Sequence, residues 1–175
     1  MKLVFPSVEY KETFLEALEE FRNEKGRRQS PVDGLEKLYA GSKDFEEFVT
    51  KLLGYAEGKF LPEGYVPSSA YWLVEGNRFI GSVDIRHSLT EHLREIGGHI
   101  GYAIRPSERE KGYGNKILEL ALPKAKELGI IRVRITCDED NAPSRKIIEK
   151  NGGIFDGTAL TPEGIVKRRY WIPLP

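Results

Sequence analysis

The chain has 175 residues, 39% of them hydrophobic, which predicts a single domain, residues 1–175, with a core of normal size. Basic and acidic residues number 27 each, so the overall charge does not mark a nucleic-acid-binding protein. The one cysteine, Cys137, excludes an internal disulfide; with no apolar stretch suited to a signal peptide or a membrane span, the chain reads as soluble and cytoplasmic.

In chain order, residues 2–5 form a short apolar strand stopped by Pro6. Ser7 is placed to cap a helix over residues 8–25, with Tyr10, Phe14, Leu15, Ala17, Leu18 and Phe21 on its core face. Its other side carries Glu9, Glu12, Glu16, Glu19, Glu20 and Glu24, read as a solvated acidic face or, more sharply, as a wall of an amine site. Residues 26–33 read as a loop, and 35–39 as one or two helical turns. Asp44 caps a helix reaching about Tyr55. Residues 58–69, with two prolines and two glycines, read as irregular. Residues 70–75 and 78–87 alternate as a hairpin around Gly76-Asn77, with Val83, Ile85 and His87 on one face and Ser82, Asp84 and Arg86 on the other.

After a helical turn at 90–95, Gly97-Gly98 opens an apolar strand and invites a bulge there. The strand ends at Pro106, followed by a charged loop and then Arg109-Glu110-Lys111-Gly112-Tyr113-Gly114-Asn115-Lys116. From Ile117 the spacing is helical, with Ile117, Leu118, Ala121, Leu122, Ala125 and Leu128 on one face, a bend or restart expected near Pro123, and Gly129 as the stop. Glycines at a helix N-terminus expose amide N–H groups to a ligand, and Arg109, Lys111 and Lys116 add positive charge. This chemistry suits a pyrophosphate. The spacing is not that of a P-loop, and Ile117 stands where a Rossmann fingerprint needs its third glycine.

Residues 131–137 alternate as the next strand; Cys137 reads there as a small buried apolar residue. Asp140 or Asn141 caps a helix over 142–150, with Pro143 in its first turn and Asn151-Gly152-Gly153 ending it. Residues 154–159 and 165–172 make a final hairpin. The three histidines, His87, His92 and His99, are not at metal-motif spacing, so no metal is expected.

A strand ending in x-Pro, then Arg-x-x-Gly-x-Gly and a helix, resembles the acetyl-CoA signature of the GNAT family, the Gcn5-related N-acetyltransferases. The stretch Gly97–Gly153 resembles a group of uncharacterised bacterial predicted acetyltransferases. The resemblance implies a mixed, mostly antiparallel twisted sheet of about seven strands flanked by helices, an α/β GNAT-like fold, with the fourth and fifth strands splayed for the pantetheine arm. It implies acetyl-CoA as co-substrate and an amine acceptor. Backbone amides of Gly112, Tyr113, Gly114 and Asn115, with Arg109, Lys111 and Lys116, would hold the pyrophosphate. Ala103 and Ile104 would pair with the pantetheine, and Asn141 and Ser144 would hydrogen-bond near it. The family commonly carries Tyr, the usual general acid, where this chain has Ile148.

The reaction expected is direct attack of a primary amine of a small molecule or peptide in a ternary complex. His99 is the leading candidate for the base, since an imidazole titrates in the right range. Strand alternation turns it away from Gly98, the position where some members carry a catalytic Glu. A non-catalytic acyl-CoA-binding module of the same fold is the competing reading, and a nucleotide-binding domain a third. Neither nucleic acid nor a membrane is expected as partner; a homodimer is compatible with the sequence.

Overall fold

A computed structural model describes residues 1–26 and 30–175; within the expected loop 26–33, residues 27–29 therefore lie outside the description. The chain enters through β1 (Lys2–Val4) and a 3-10 turn at Val8–Tyr10, where the Ser7 hydroxyl accepts the Glu9 N–H at 3.3 Å. Three helices follow: α1 (Lys11–Asn23), α2 (Pro31–Ala40) and α3 (Phe45–Gly54). The helix expected from 35 to 39 begins earlier, because Pro31 is suited to a first helical turn and the Asp33 carboxylate accepts the Ser30 N–H at 2.8 Å. Asp44 caps α3 as expected, accepting from Glu47 N–H at 2.8 Å.

Strands β2 (Ser68–Glu75) and β3 (Arg78–Arg86) form the central hairpin, and β4 (Ile100–Ile104) follows the short helix α4 (Glu91–Glu95). Beyond β4 come α5 (Tyr113–Glu127), β5 (Arg132–Asp138), α6 (Ala142–Lys150), β6 (Ile154–Leu160) and β7 (Val166–Pro173). Among the described residues seven strands form two antiparallel sheets, in the orders β1-β2-β3-β4 and β5-β7-β6, joined by an isolated bridge between Gly98 and Ile135. Helix α5 runs through Pro123 without a break. The carbonyl that the proline leaves without its i+4 donor belongs to Glu119, an exposed residue whose backbone water can satisfy.

Two apolar cores sit on opposite faces of the first sheet. One is aromatic: Phe14, Phe21, Phe45, Phe48, Trp72 and Phe79 pack α1, α2 and α3 against β2 and β3. The other packs α5 and α6 between the sheets, through Ile80, Val83, Ile85, Ile100, Ile104, Ile117, Leu118, Ile135, Ile148 and Tyr170. Strand alternation divides β4 between them: Ile100 and Ile104 enter the α5 core, Ala103 the aromatic one.

Candidate active site

The site grows from the separation of β4 and β5. Both ends of the β3–β4 ladder fix which amides face which way: Arg86 N–H donates to His99 C=O at 2.8 Å, and Arg105 N–H to Ile80 C=O at 2.9 Å. With the register Asp84↔Gly101 and Ser82↔Ala103 between them, antiparallel alternation turns the main-chain groups of Gly101 and Ala103 toward β3. Those of Ile100, Tyr102 and Ile104 point the other way, toward β5. The same argument on β5, anchored by Leu174 N–H donating to Ile131 C=O at 3.0 Å, turns Arg134 and Thr136 toward β4.

At one end the two edges meet. His99 N–H donates to Arg134 C=O at 2.7 Å, and Arg134 N–H returns to His99 Nδ1 at 2.9 Å. The Gly97 N–H reaches Thr136 Oγ1 at 3.1 Å, and the Arg86 guanidinium holds Gly98 C=O at 2.8 Å. Gly98 has φ +70°, and a Cβ on it would stand 2.5 Å from the Arg134 carbonyl oxygen, so only glycine lets the edges join here. Among the described residues no backbone bond links β4 to β5 beyond this point. The result is a V, closed at His99 and open toward Ile104 and Asp138.

The N-terminus of α5 lies at the open end. Glu110 (φ +63°) and Gly112 (φ +86°) are both left-handed, a backbone form that turns successive N–H groups into an anion-binding nest. The amides of Gly112, Tyr113 and Gly114 have no backbone acceptor among the described residues, while Asn115 N–H is committed to Gly112 C=O at 3.1 Å. A Cβ on Gly114 would fall 2.6 Å from Ile147 Cδ1, the end of a side chain that would have to turn aside where α5 meets α6. Asn115 Oδ1 accepts from Asn151 Nδ2 at 3.0 Å across the same contact.

The cationic side chains are less available than expected. Arg109 is clamped by both carboxylate oxygens of Glu24, donates from Nε to Ile104 C=O at 3.2 Å, and lies over Phe21. Arg105, 4% exposed, bridges Glu16 and Glu20, and Ser107 also bonds Glu20. Glu16, Glu20 and Glu24 of the acidic stripe therefore grip the loop between β4 and α5, while Glu9, Glu12 and Glu19 stay exposed. Lys111 pairs with the buried Glu108 at 2.9 Å and Lys116 with the exposed Glu119 at 2.8 Å; both lysine side chains are themselves exposed. The Tyr113 hydroxyl reaches Glu75 at 3.3 Å.

His99, the expected base, occupies the closed end of the V. Burial, with Arg94 and Arg86 nearby, lowers its pKa to about 4, and its Nδ1 accepts the Arg134 N–H. A proton cannot join that lone pair without breaking the junction. The ring also borders a depression of about 440 Å³ lined by His87, Arg94, Gly129 and Trp171, at the foot of β5 and far along the strand from the nest. Ala103 differs as well: its main chain pairs with Ser82, so Tyr102 and Ile104 are the residues of β4 with amides toward the V.

Two residues emerge only from the fold. Tyr102 extends from β4 to α6, its hydroxyl 3.1 Å from Ser144 Oγ, while Asn141 Oδ1 caps α6 by accepting Ser144 N–H at 3.1 Å. Burial pushes the Tyr102 pKa up to about 12, so it keeps its proton at neutral pH. Ile148 is fully buried in the α5 core. Asp84, on the opposite face of β3, is deeply enclosed yet retains a solvent-accessible edge, and burial raises its pKa. Cys137 is 6% exposed and burial pushes its thiol up to about 11, which fits a packed apolar residue.

A family profile described as "Acetyltransferase (GNAT) domain" matches residues 39–154. The chain belongs to the GNAT acetyltransferase family. No curated protein sequence matches the chain. Solved structures of similar fold include a mutant of spermidine N-acetyltransferase SpeG from Vibrio cholerae, at 15% identity and TM-score 0.63, covering 99% of this chain and 95% of that one. A putative ribosomal-protein-serine acetyltransferase from Vibrio cholerae has 15% identity and TM-score 0.64, covering 98% and 92%. RimL, a ribosomal L7/L12 alpha-N-protein acetyltransferase in complex with coenzyme A, has 16% identity and TM-score 0.64, covering 99% and 95%. At such identities the likeness establishes the fold alone. As a GNAT protein the chain is an acetyltransferase, and acetyl-CoA is the co-substrate that its family uses. The unbonded amides at α5 and along β4 fit a ligand with an anionic end and an amide-bearing arm.

Proposed function

We propose that this GNAT enzyme transfers the acetyl group of acetyl-CoA to a primary amine of a small molecule or peptide by direct attack in a ternary complex. The observation that carries the reading is the V between β4 and β5, with unbonded edge amides along one side and the nest at its mouth. Fold alone does not fix a reaction, so the residues carry the argument. The amides of Gly112, Tyr113 and Gly114 hold the pyrophosphate, with Lys111 and Lys116 turning toward it; Arg109 shapes the loop. Tyr102 and Ile104 offer main-chain groups to the pantetheine, as an added strand would use them. Asn141 and Ser144 stand beside that path at the head of α6.

The co-substrate supplies an acetyl group already activated as a thioester. What the chain adds is orientation, which alone contributes several kcal/mol to such a reaction, about 7–11 kcal/mol at best. The Tyr102 N–H is placed for the thioester carbonyl and its developing negative charge. The Tyr102–Ser144 hydroxyl pair holds a proton for the departing thiolate, a duty Ile148 cannot perform. Cys137, protonated and packed in the core, takes no acetyl group. The fold neighbours named for spermidine and for ribosomal protein amino groups make polyamines and peptide α-amines sensible first acceptors. A cytoplasmic location is part of the same proposal.

Gly112→Asp sets a carboxylate in the nest and should abolish acetyl-CoA binding in calorimetry. Unchanged affinity would remove the cofactor reading. CoA release with a panel of alkylamines, polyamines, amino acids and peptides, followed by steady-state kinetics, tests the transfer. Intersecting double-reciprocal lines and a Cys137→Ala enzyme of normal rate are expected; parallel lines with an isolable acetyl-Cys137 adduct would refute direct attack.

A further inference from the structure

The α5 side of the V accounts for binding and for the leaving group, but none of the groups assigned to it above is an acceptor for the proton that an ammonium must lose before it can attack. The opposite face of the first sheet has one. Asp84 stands directly across β3–β4 from Gly101, on the α2 side. Gly101 has no side chain, so nothing from β4 itself screens the Asp84 carboxyl from the V. Pro31 of α2 roofs this point: a Cβ on Gly101 would lie 3.1 Å from its Cγ. The next residue, Tyr102, is the one whose amide faces the reacting carbonyl.

Asp84 has polar and basic neighbours. Ser68, Arg86 and His87 lie near enough to draw its pKa down. Both basic neighbours are engaged elsewhere: the Arg86 guanidinium on the Gly98 carbonyl at 2.8 Å, and His87 Nε2 on Ser69 Oγ at 2.8 Å. Burial outweighs them and raises the Asp84 pKa, which moves a carboxylate toward the range of an effective base. Tyr55, at the end of α3, lies in the field of both Asp84 and Tyr65. Tyr65, 67% exposed, stands on the irregular segment before β2. A partly exposed carboxylate with the Tyr55 ring in its field suits an aliphatic ammonium, through charge pairing and cation–π attraction.

We propose that Asp84 is the general base of the transfer and that the acceptor is an aliphatic primary amine entering as its ammonium form from the α2 side of the first sheet. This rests on the transfer reading above. The ammonium gives one proton to the Asp84 carboxylate, directly or through one water, since β3 and β4 are about 4.8 Å apart and the thioester lies beyond β4. The freed nitrogen pair forms the C–N bond, and the C–S bond breaks with its electron pair on sulfur. The remaining excess proton on nitrogen goes to sulfur by way of the Ser144–Tyr102 pair, giving the amide and the thiol. Asp84 then returns its proton to solvent.

The test compares wild type with Asp84→Asn and Asp84→Glu by three readouts: acetyl-CoA affinity in calorimetry, melting temperature, and CoA release. Asp84→Asn should bind acetyl-CoA within about twofold of wild type and melt at the same temperature or higher, because it removes a buried charge. On an aliphatic primary amine at pH 7 its kcat should fall about 100-fold or more. On an aromatic amine, already neutral at that pH, the loss should be small. A merely structural Asp84 would lower both rates alike. Asp84→Glu, which keeps a carboxylate, should recover part of the aliphatic rate and answers the question if the asparagine variant does not fold. Equal aliphatic rates for wild type and Asp84→Asn would overturn the assignment while leaving transfer intact. A wild type that binds acetyl-CoA but releases none of its CoA to any amine would overturn the transfer reading and Asp84 with it.

Discussion

Replacing His99 with leucine separates a structural histidine from a catalytic one. At pH 7 the loss is that of a buried acceptor: the Arg134 N–H, bonded to Nδ1 at 2.9 Å, is left without a partner. Such a group costs about 1–3 kcal/mol, which for a chain of this length lowers the melting temperature by roughly 3–10 °C. Acid should change the comparison. His99 has a folded pKa of about 4, below its ordinary 6.5. Between those values the unfolded chain binds a proton that the folded one refuses. The histidine's share of stability is therefore intact above pH 6.5 and declines as pH falls toward 4. The gap corresponds to about 3 kcal/mol, or about 2 kcal/mol once the ring edge bordering the depression is allowed some solvent. His99→Leu lacks that decline, so the wild-type advantage should shrink by about 2 kcal/mol between pH 7 and pH 4, the carboxylates common to both proteins cancelling. Denaturant melts at intervals across this range provide the measurement. A constant difference, or an NMR titration placing His99 near 6.5, would refute the argument. In the same vein, His99→Gln should keep its full transfer rate across neutral pH.

Gly98→Ala tests the apex of the V. The substitution combines a left-handed backbone, about 1–2 kcal/mol, with a Cβ 2.5 Å from the Arg134 carbonyl, so it should destabilise by more than 2 kcal/mol in a thermal melt; a neutral effect would mean that β4 and β5 are joined elsewhere. Tyr102→Phe removes the hydroxyl 3.1 Å from Ser144 while keeping the ring, and should lower kcat about tenfold or more with acetyl-CoA affinity nearly unchanged. If that variant turned over at the wild-type rate, the thiolate would have to find its proton in solvent.

The order of elements was legible because each is punctuated locally. Asp44 and Asn141 cap their helices through bonds of 2.8 and 3.1 Å, and Gly76-Asn77 turns the hairpin. The start of α2 was not, since Pro31 reads equally as loop or as first helical turn. Pro123 misled in the other direction: its lost bond falls on an exposed carbonyl, and burial is a tertiary property that a proline does not announce. The charge pattern misled for a related reason. Arg109 and the glutamates of α1 are 85 residues apart in the chain for the Glu24 pair, so the sequence shows two free-standing charges where the fold makes one clamp.

The chemistry divides along the same line. A nest and a helix N-terminus are built from consecutive residues, so Gly112 and Gly114 could be recognised from spacing alone. Direction in a strand cannot, because it depends on which neighbour a ladder pairs with. The single register Asp84↔Gly101 decides three roles at once. It turns the Ala103 amide away from the V and the Tyr102 amide into it. It puts His99 at the junction, where its lone pair is used up. It also brings an aspartate that reads as an ordinary polar-face residue of a hairpin beside Gly101 on the α2 face, where the proposed amine would meet it. A one-residue slip would exchange these assignments, so the catalytic reading stands or falls with that pairing, and the Gly98 and Asp84 substitutions probe the two ends of it.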